Sequence, residues 1–318
     1  MAEPWERMIA AVKDGDVRAL AKLITYVENR EAGWKDAMKV VYPLAGTSTV
    51  FGITGSPGAG KSTLTNAIAR RLCDQGFSIG IIAVDPSSPF SGGALLGDRI
   101  RMRDISVDSR IFIRSMATRG VLGGLCQAAR DVARILDASG KDVVIIETVG
   151  VGQDEIEVVR ASEFVMLICF PGQGDSIQAI KAGTMEIADL FVVNKADREG
   201  ADEMVEEIEA MLTLSGQEGV QTPQVMKTSS VTKEGLDDLV TFLRAFMQTK
   251  KRRDRERGLV REEILSLMEH EVSRMVRERL TQDGRLEHAI ERILAQEVDP
   301  YTAVEEMLQK FSIPTPGL

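Results

Sequence analysis

Cysteine, histidine and aromatic residues are scarce in this chain. Its 318 residues hold three cysteines and two histidines, with 5% aromatics. Cys73, Cys126 and Cys169 stand alone, and Cys73 and Cys169 fall within apolar patterns. They are expected as reduced, buried thiols of a cytoplasmic protein, not as a disulfide frame or metal cluster. With only His270 and His288, a histidine-built transition-metal site is not expected. Positive charge is also in short supply: 39 Lys and Arg against 48 Asp and Glu leave a net charge of −9. That balance argues against a general nucleic-acid binder. No apolar run is long enough to span a bilayer, and residues 1–20 hold no apolar stretch flanked by positive charge. Neither a membrane span nor a secretory leader is expected. What remains, 44% hydrophobic and 27% charged, suits a globular protein with one large α/β domain and helical additions.

The stretch Gly55-Ser56-Pro57-Gly58-Ala59-Gly60-Lys61-Ser62, followed by Thr63, reads G-x-x-x-x-G-K-S. This is the phosphate-binding loop of nucleotide hydrolases. The β-branched, apolar run 49–54 ahead of it predicts a buried parallel strand. Leu64, Ile68 and Leu72 behind it stand at helical spacing. Strand, glycine loop and helix are the context the motif needs. The glycines let successive N–H groups turn inward toward a polyphosphate, and the helix N-terminus adds positive partial charge. In this role Lys61 reaches the β- and γ-phosphates and the Ser62 hydroxyl ligates Mg²⁺.

Before this loop the pattern is helical. Trp5, Met8, Ile9 and Val12 form one stripe, and Val17, Leu20, Leu23, Ile24 and Val27 a second with Asp16 as N-cap. Met38, Val41 and Leu44 form a third that ends near 43–46. From Thr49 onward strands are expected at 78–84, 111–114, 143–146, 164–169, 190–193 and 224–228. Helices are expected at 122–138, 154–160, 176–187, 202–214 and 236–247. The alternation predicts an α/β fold: a mostly parallel sheet with helices on both faces and the nucleotide at the carboxyl ends of the strands. After Met247 comes the mixed-charge run 250–257, then apolar stripes at 260–276, 286–294 and 303–308. The expected organisation is a helical extension over 1–46, a nucleotide domain over 47–249 and a helical arm over 250–318. The apolar stripe of the arm must be buried, either on the parent domain or against a second copy in a homodimer.

Asn194-Lys195-Ala196-Asp197 follows the strand 190–193 without a gap, giving N-K-x-D, the guanine-reading motif of GTPases. The Asp197 carboxylate can accept two hydrogen bonds, from guanine N1–H and its 2-amino group, which adenine does not offer. The Lys195 stem would lie over the base and Asn194 would tie neighbouring loops together. The stretch Thr228-Ser229-Ser230-Val231, after the last strand, sits where GTPases contact the guanine carbonyl through backbone N–H groups. Glu147-Thr148-Val149-Gly150 stands where most GTPases carry Asp-x-x-Gly, the element that senses the γ-phosphate. Its longer acid is expected to reach Mg²⁺ through a water. Val151 occupies the position where many small GTPases keep a water-positioning Gln, so unassisted hydrolysis should be slow. Asp85 and Asp98 bracket a Gly-, Ser- and Pro-rich segment that can order around a nucleotide. Each acid is a candidate for the Mg²⁺ shell or for orienting the attacking water, or else a solvated loop residue. Residues 171–175 open a second flexible segment ahead of Lys181, a surface residue unless a partner uses it.

Together these residues resemble the MeaB/ArgK family of P-loop GTPases, in the class that also holds signal-recognition and MinD-like proteins. The likeness rests on 52–62, 83–88, 96–98, 147–153, 177–183 and 194–197 and covers nearly the whole chain. The resemblance implies a GTP-hydrolysing chaperone for an adenosylcobalamin-dependent acyl-CoA mutase of the methylmalonyl-CoA mutase type. It would gate cofactor loading and protect the enzyme, with an adenosyltransferase as a further partner. It also implies that Asp85, Asp98 and Glu147 surround Mg²⁺ and the attacking water, that residues 172–181 talk to the mutase, and that the arm holds a homodimer. Arg119, within Ala117-Thr118-Arg119-Gly120, departs from the pattern and has no assigned role. Two other readings stay open. One is a kinase or ATPase of a lysine/arginine/ornithine transport system, for which the chain shows no acceptor site. The other is a nickel-insertion GTPase, which needs Cys and His near the switches, where only Cys126 is available.

Overall fold

The computed structural model describes residues 2–85, 108–117, 124–148, 161–172, 187–215, 222–249 and 251–309. The apolar run at 49–55 forms β1 (Thr49–Gly55), and six further runs form β2 (Ile79–Asp85), β3 (Ile111–Ala117), β4 (Val143–Thr148), β5 (Phe164–Cys169), β6 (Leu190–Asn194) and β7 (Gln224–Thr228). They make one seven-stranded sheet in the order β3-β2-β4-β1-β5-β6-β7, and every pairing is parallel. The chain therefore winds outward on one side of β1, returns to place β4 beside it, and crosses to β5 on the other side. That reversal puts the carboxyl end of β1 at the switch point, where α/β sheets open a crevice for ligands.

Helices cover both faces. On one, α4 (Lys61–Asp74) and α7 (Leu236–Met247) enclose Phe51, Ile53, Ile145, Met166, Ile168 and Val192. On the other, α5 (Gly124–Ala138) covers β2 and β4 through Ile82, Val144 and Ile146. There α6 (Ala201–Ser215) covers β5 and β6 through Leu167, Cys169, Phe191 and Val193. Successive residues of β4 thus enter different cores, which is why the strand is apolar throughout and shows no alternation.

The N-terminal stripes form α1 (Ala2–Lys13), α2 (Val17–Glu28) and α3 (Trp34–Val41), followed by one 3₁₀ turn over Tyr42–Leu44. Asp16 caps α2, accepting from the N–H groups of Arg18 and Ala19 at 2.8 and 3.1 Å. These helices pack on α5, sharing a core that includes Leu20, Ile24, Val27, Val132 and Leu136. Arg30 of the α2–α3 turn reaches Asp131 of α5 at 2.6 Å, and Glu28 accepts from Arg114 of β3. Asp137 near the C-terminal end of α5 accepts from the backbone N–H of Gly46, Thr47 and Ser48 and from the Thr47 hydroxyl. One carboxylate therefore anchors the lead-in to β1.

One strand differs from expectation. Strand β3 runs to Ala117, three residues past the expected 111–114, because its pairing with β2 continues to Asp85↔Ala117. Its polar Arg114 is accommodated by Glu28, a partner that the local sequence does not announce. The charged run after Met247 is helical, within the arm expected over 250–318: α8 spans Lys251–Gln282, 32 residues. Arg, Lys and Glu are good helix formers, so the absence of an apolar face did not interrupt it.

The chain divides into two units, Met1–Leu259 and Val260–Leu318. In the second, α9 (Arg285–Leu294) and α10 (Pro300–Gln309) bury Ala289 and Ala303, and Arg292 pairs with Glu306 at 2.7 Å. Along α8, Ile264, Leu265, Met268, Val272 and Met275 are more than half exposed. The helix expected over 154–160 lies outside the described residues, as does all but the last residue of that expected over 176–187. Among the described residues no helix is long and apolar enough to cross a membrane.

Candidate functional site

The glycine loop turns directly from β1 into α4. Gly55, Gly58 and Gly60 have φ of 141°, 79° and 84°, a region that costs a side-chain-bearing residue about 1–2 kcal/mol. Gly60 is the N-cap of α4, and a Cβ there would lie 2.6 Å from Asn194 Nδ2. At Gly55 a Cβ would overlap the backbone of Ile168 in the neighbouring β5. Gly58 meets no such neighbour, so its requirement is conformational alone. Lys61 is buried and bends back over the loop, donating to the carbonyls of Gly55 and Ser56 at 2.6 and 3.1 Å. The Lys61 ammonium thus sits inside a ring of backbone at a helix N-terminus, an arrangement suited to polyphosphate. Ser56 and Ser62 are half-buried, Ala59 is buried, and Pro57 and Thr63 are exposed.

The acids divide three ways. Glu147 stands on β4, in register with Ile53 of β1. Its carboxylate accepts from the Ser62 hydroxyl at 2.5 Å although 85 residues separate them. Only the insertion of β4 beside β1 brings the pair together. The next residue, Thr148, is buried and donates to Thr54 Oγ1 at 3.2 Å. Asp85 ends β2 and is two strands removed from β1, opposite Ala117. Asp98 and Arg119 lie outside the described residues, as do Val151 and Lys181. Among the described residues no group of three or more His, Cys, Asp or Glu is placed to hold a metal ion.

The Asn-Lys-x-Asp stretch leaves the end of β6 and folds against the glycine loop. Asn194 is buried and donates from Nδ2 to the carbonyl of Ala59 at 2.8 Å. Its Oδ1 accepts from the hydroxyls of Ser230 and Thr228 at 3.2 and 3.4 Å. One amide therefore joins the phosphate loop, the base loop and the end of β7. Lys195 adopts φ 59° and donates to the carbonyl of Gly58 at 2.6 Å. Asp197 is exposed, and the Ser229 hydroxyl donates to its Oδ1 at 2.5 Å. That bond holds the Asp197 carboxyl below the usual carboxylate range, as donors to a charged form do. Ser229 is itself buried and its Oγ accepts from the N–H of Thr232 at 3.1 Å. Val231 is exposed at the tip of the same turn.

Phe170 was not read from the sequence, and the part that Thr228 plays at the head of the 228–231 stretch shows only in its contacts. Thr228 supplies both the hydroxyl bound to Asn194 and the carbonyl that accepts from the N–H of Ala196 at 3.0 Å. Phe170, directly after β5, places its ring under the Lys195 ammonium at 4.2 Å. The available signal for Phe170 was an aromatic residue between a strand end and Pro171-Gly172.

A phosphate loop between β1 and α4, a base-reading loop at the end of β6 and a parallel sheet that joins them define a P-loop GTPase. A family model described as "Methylmalonyl Co-A mutase-associated GTPase MeaB" matches residues 20–286, and the chain belongs to that family. A GTPase of Pyrococcus horikoshii is 45% identical over 316 residues, covering 97% of this chain and 99% of its own length. GTPase ArgK of Escherichia coli is 39% identical over 241 residues, 73% of this chain and 72% of its own. The mitochondrial methylmalonic aciduria type A homolog of Mus musculus is 33% identical over 259 residues, 76% of this chain and 62% of its own. Among solved structures, one titled LAO/AO transport system kinase matches with a TM-score of 0.71 and 26% identity, covering 96% of each chain.

Proposed function

We propose that this GTPase is a nucleotide-switched chaperone of a cobalamin-dependent acyl-CoA mutase of the methylmalonyl-CoA mutase type, acting in the cytoplasm as a homodimer held by its C-terminal arm. The observation that carries the switch is the Ser62–Glu147 hydrogen bond at 2.5 Å. It joins the phosphate loop to the end of β4, where the 147–150 stretch that reads as the γ-phosphate sensor begins. A change in what Ser62 and Glu147 bind is thereby transmitted along the chain to a surface that a partner can read. The client is supported by the family's association with methylmalonyl-CoA mutase and by the name of the mouse relative. The adenosyltransferase that would supply the cofactor is a further partner under the same reading.

In the nucleotide site Lys61 and the loop N–H groups bind the β- and γ-phosphates. Asn194, Lys195 and Asp197, with the 229–231 turn, select guanine. The Ser62 hydroxyl and the Glu147 carboxylate are hard oxygen donors side by side, a set that suits Mg²⁺, which takes one or two protein oxygens and completes its shell with phosphate and water. Asp85 and Asp98 complete the proposed set. Bound Mg²⁺ would neutralise charge that develops on the phosphate oxygens during transfer.

The test is to mix the purified protein with a cognate cobalamin-dependent mutase and follow free phosphate. The expected result is a rise in GTP turnover of about tenfold or more, equivalent to about 1.4 kcal/mol of added transition-state stabilisation. No change at saturating mutase, with either cobalamin form, refutes the chaperone reading. Label appearing on an acceptor protein in place of free phosphate would favour a kinase.

A further inference from the structure

Lys195 is held in a conformation that its residue type does not favour. Its φ of 59° lies in the left-handed region, which a lysine adopts only when the surroundings impose it. Three neighbours impose it here. The N–H of Ala196 is tied to the carbonyl of Thr228, Asn194 is tied to Ala59, and the Lys195 ammonium is caught at its far end. That end is bound on two sides. The carbonyl of Gly58 accepts from Nζ at 2.6 Å, and the ring of Phe170 lies beneath it at 4.2 Å from the centroid. The stem between runs beside the glycine loop, since a Cβ at Gly60 would be 4.0 Å from Lys195 Cε.

Phe170 is itself well supported. It packs against the core under α4 and α7, and the next residue, Pro171, is buried. Gly200 stands close behind, where a Cβ would meet Pro171 at 3.6 Å. The ring is thus carried by rigid backbone at the end of β5, the strand that pairs with β1.

We propose that Phe170 is a positioning residue for guanine-nucleotide binding, its ring holding the Lys195 side chain extended along the phosphate loop so that the methylene stem is presented to the base. This rests on the assignment of Lys195 to the base-reading loop made above. A free lysine side chain gives up rotamer entropy when it is immobilised. Here ring and carbonyl immobilise it before the nucleotide arrives, so that cost does not fall on binding. Burial against the ring and loop pulls the Lys195 ammonium below its ordinary range, the mark of a partly desolvated cation.

The experiment titrates the full-length protein with fluorescent GDP, in four variants beside the wild type. Phe170→Leu keeps an apolar residue and removes the ring; it should weaken binding about fivefold, equivalent to about 1 kcal/mol. Phe170→Tyr keeps the ring and should stay within about twofold of wild type. Lys195→Met should weaken binding, and adding Phe170→Leu to it should cost nothing more. Phe170→Met serves in place of the leucine variant should that one fail to fold, judged by thermal unfolding without nucleotide. Equal losses from Phe170→Leu in the presence and absence of Lys195 would overturn the proposal, because the ring would then act independently of the lysine. A loss in Phe170→Tyr as large as in Phe170→Leu would overturn it as well. If Lys195→Met weakens binding and Phe170→Leu does not, the proposal fails and the base-loop assignment stands. If Lys195→Met leaves binding unchanged, the assignment beneath it fails.

Discussion

Replacing Gly60 by Ala separates two reasons why a glycine can be required. Both Gly58 and Gly60 have left-handed φ, 79° and 84°, so an alanine at either costs about 1–2 kcal/mol of backbone strain. Only at Gly60 does the added Cβ meet an obstacle, Asn194 Nδ2 at 2.6 Å. That amide is a side-chain tip, and at a surface it would move away at little cost. Here Asn194 is 1% exposed, donates to Ala59 at 2.8 Å and accepts from Ser230 and Thr228. Displacing it leaves a buried donor unmet, a loss of about 1–3 kcal/mol beyond the strain. Gly60→Ala should therefore be less stable than Gly58→Ala by about 1–3 kcal/mol. At about 2–4 °C per kcal/mol for a unit of this size, the gap in melting temperature without nucleotide is about 2–12 °C. Differential scanning calorimetry on the two variants reads that gap directly. Equal melting temperatures would refute the reasoning, since the Asn194 bridge would then carry no energy.

Lys61→Ala should abolish GTP hydrolysis in a phosphate-release assay, because among the described residues no other side-chain cation of the loop is positioned to contact the β- and γ-phosphates. Asp197→Ala should remove the preference for GTP over ATP; equal affinity of the wild type for both nucleotides would sink the assignment. Ser229→Ala should return the Asp197 carboxyl upward toward its ordinary value, as followed by carboxyl-carbon NMR. A depressed carboxyl contributes above its ordinary pKa and loses that contribution as pH falls through the native value, so the acid limb of guanine binding should shift to higher pH in this variant. Removing the chain from Val260 onward should leave GTP binding intact and give a monomer by light scattering; a truncated dimer would exclude the arm as the interface.

The strand, glycine loop and helix at 49–74 were legible because everything that forms them is local. The apolar run, the three glycines and the Leu64–Ile68–Leu72 spacing act within a few residues of one another. Asn194-Lys195-Ala196-Asp197 was legible for the same reason, as a polar group at the end of an apolar strand. The helices at 201–215 and 236–247 and the N-cap at Asp16 also matched their local signals closely. Where the reading fell short, at the far end of β3, the missing information was a distant partner.

The sequence by itself determined which segments are strands, that the sheet is parallel, and which residue types handle phosphate and guanine. It could not determine strand order, because buried parallel strands are apolar on both faces and carry no record of their neighbours. Tertiary structure alone decided that β4 lies between β1 and β2, and so that Glu147 meets Ser62 across 85 residues. It alone brought Asn194 to Ala59 across 135 residues and set Phe170 beneath Lys195. Each of these contacts is made between chain segments that approach only after the sheet has assembled, and the local pattern that forms a strand is indifferent to what lies beside it.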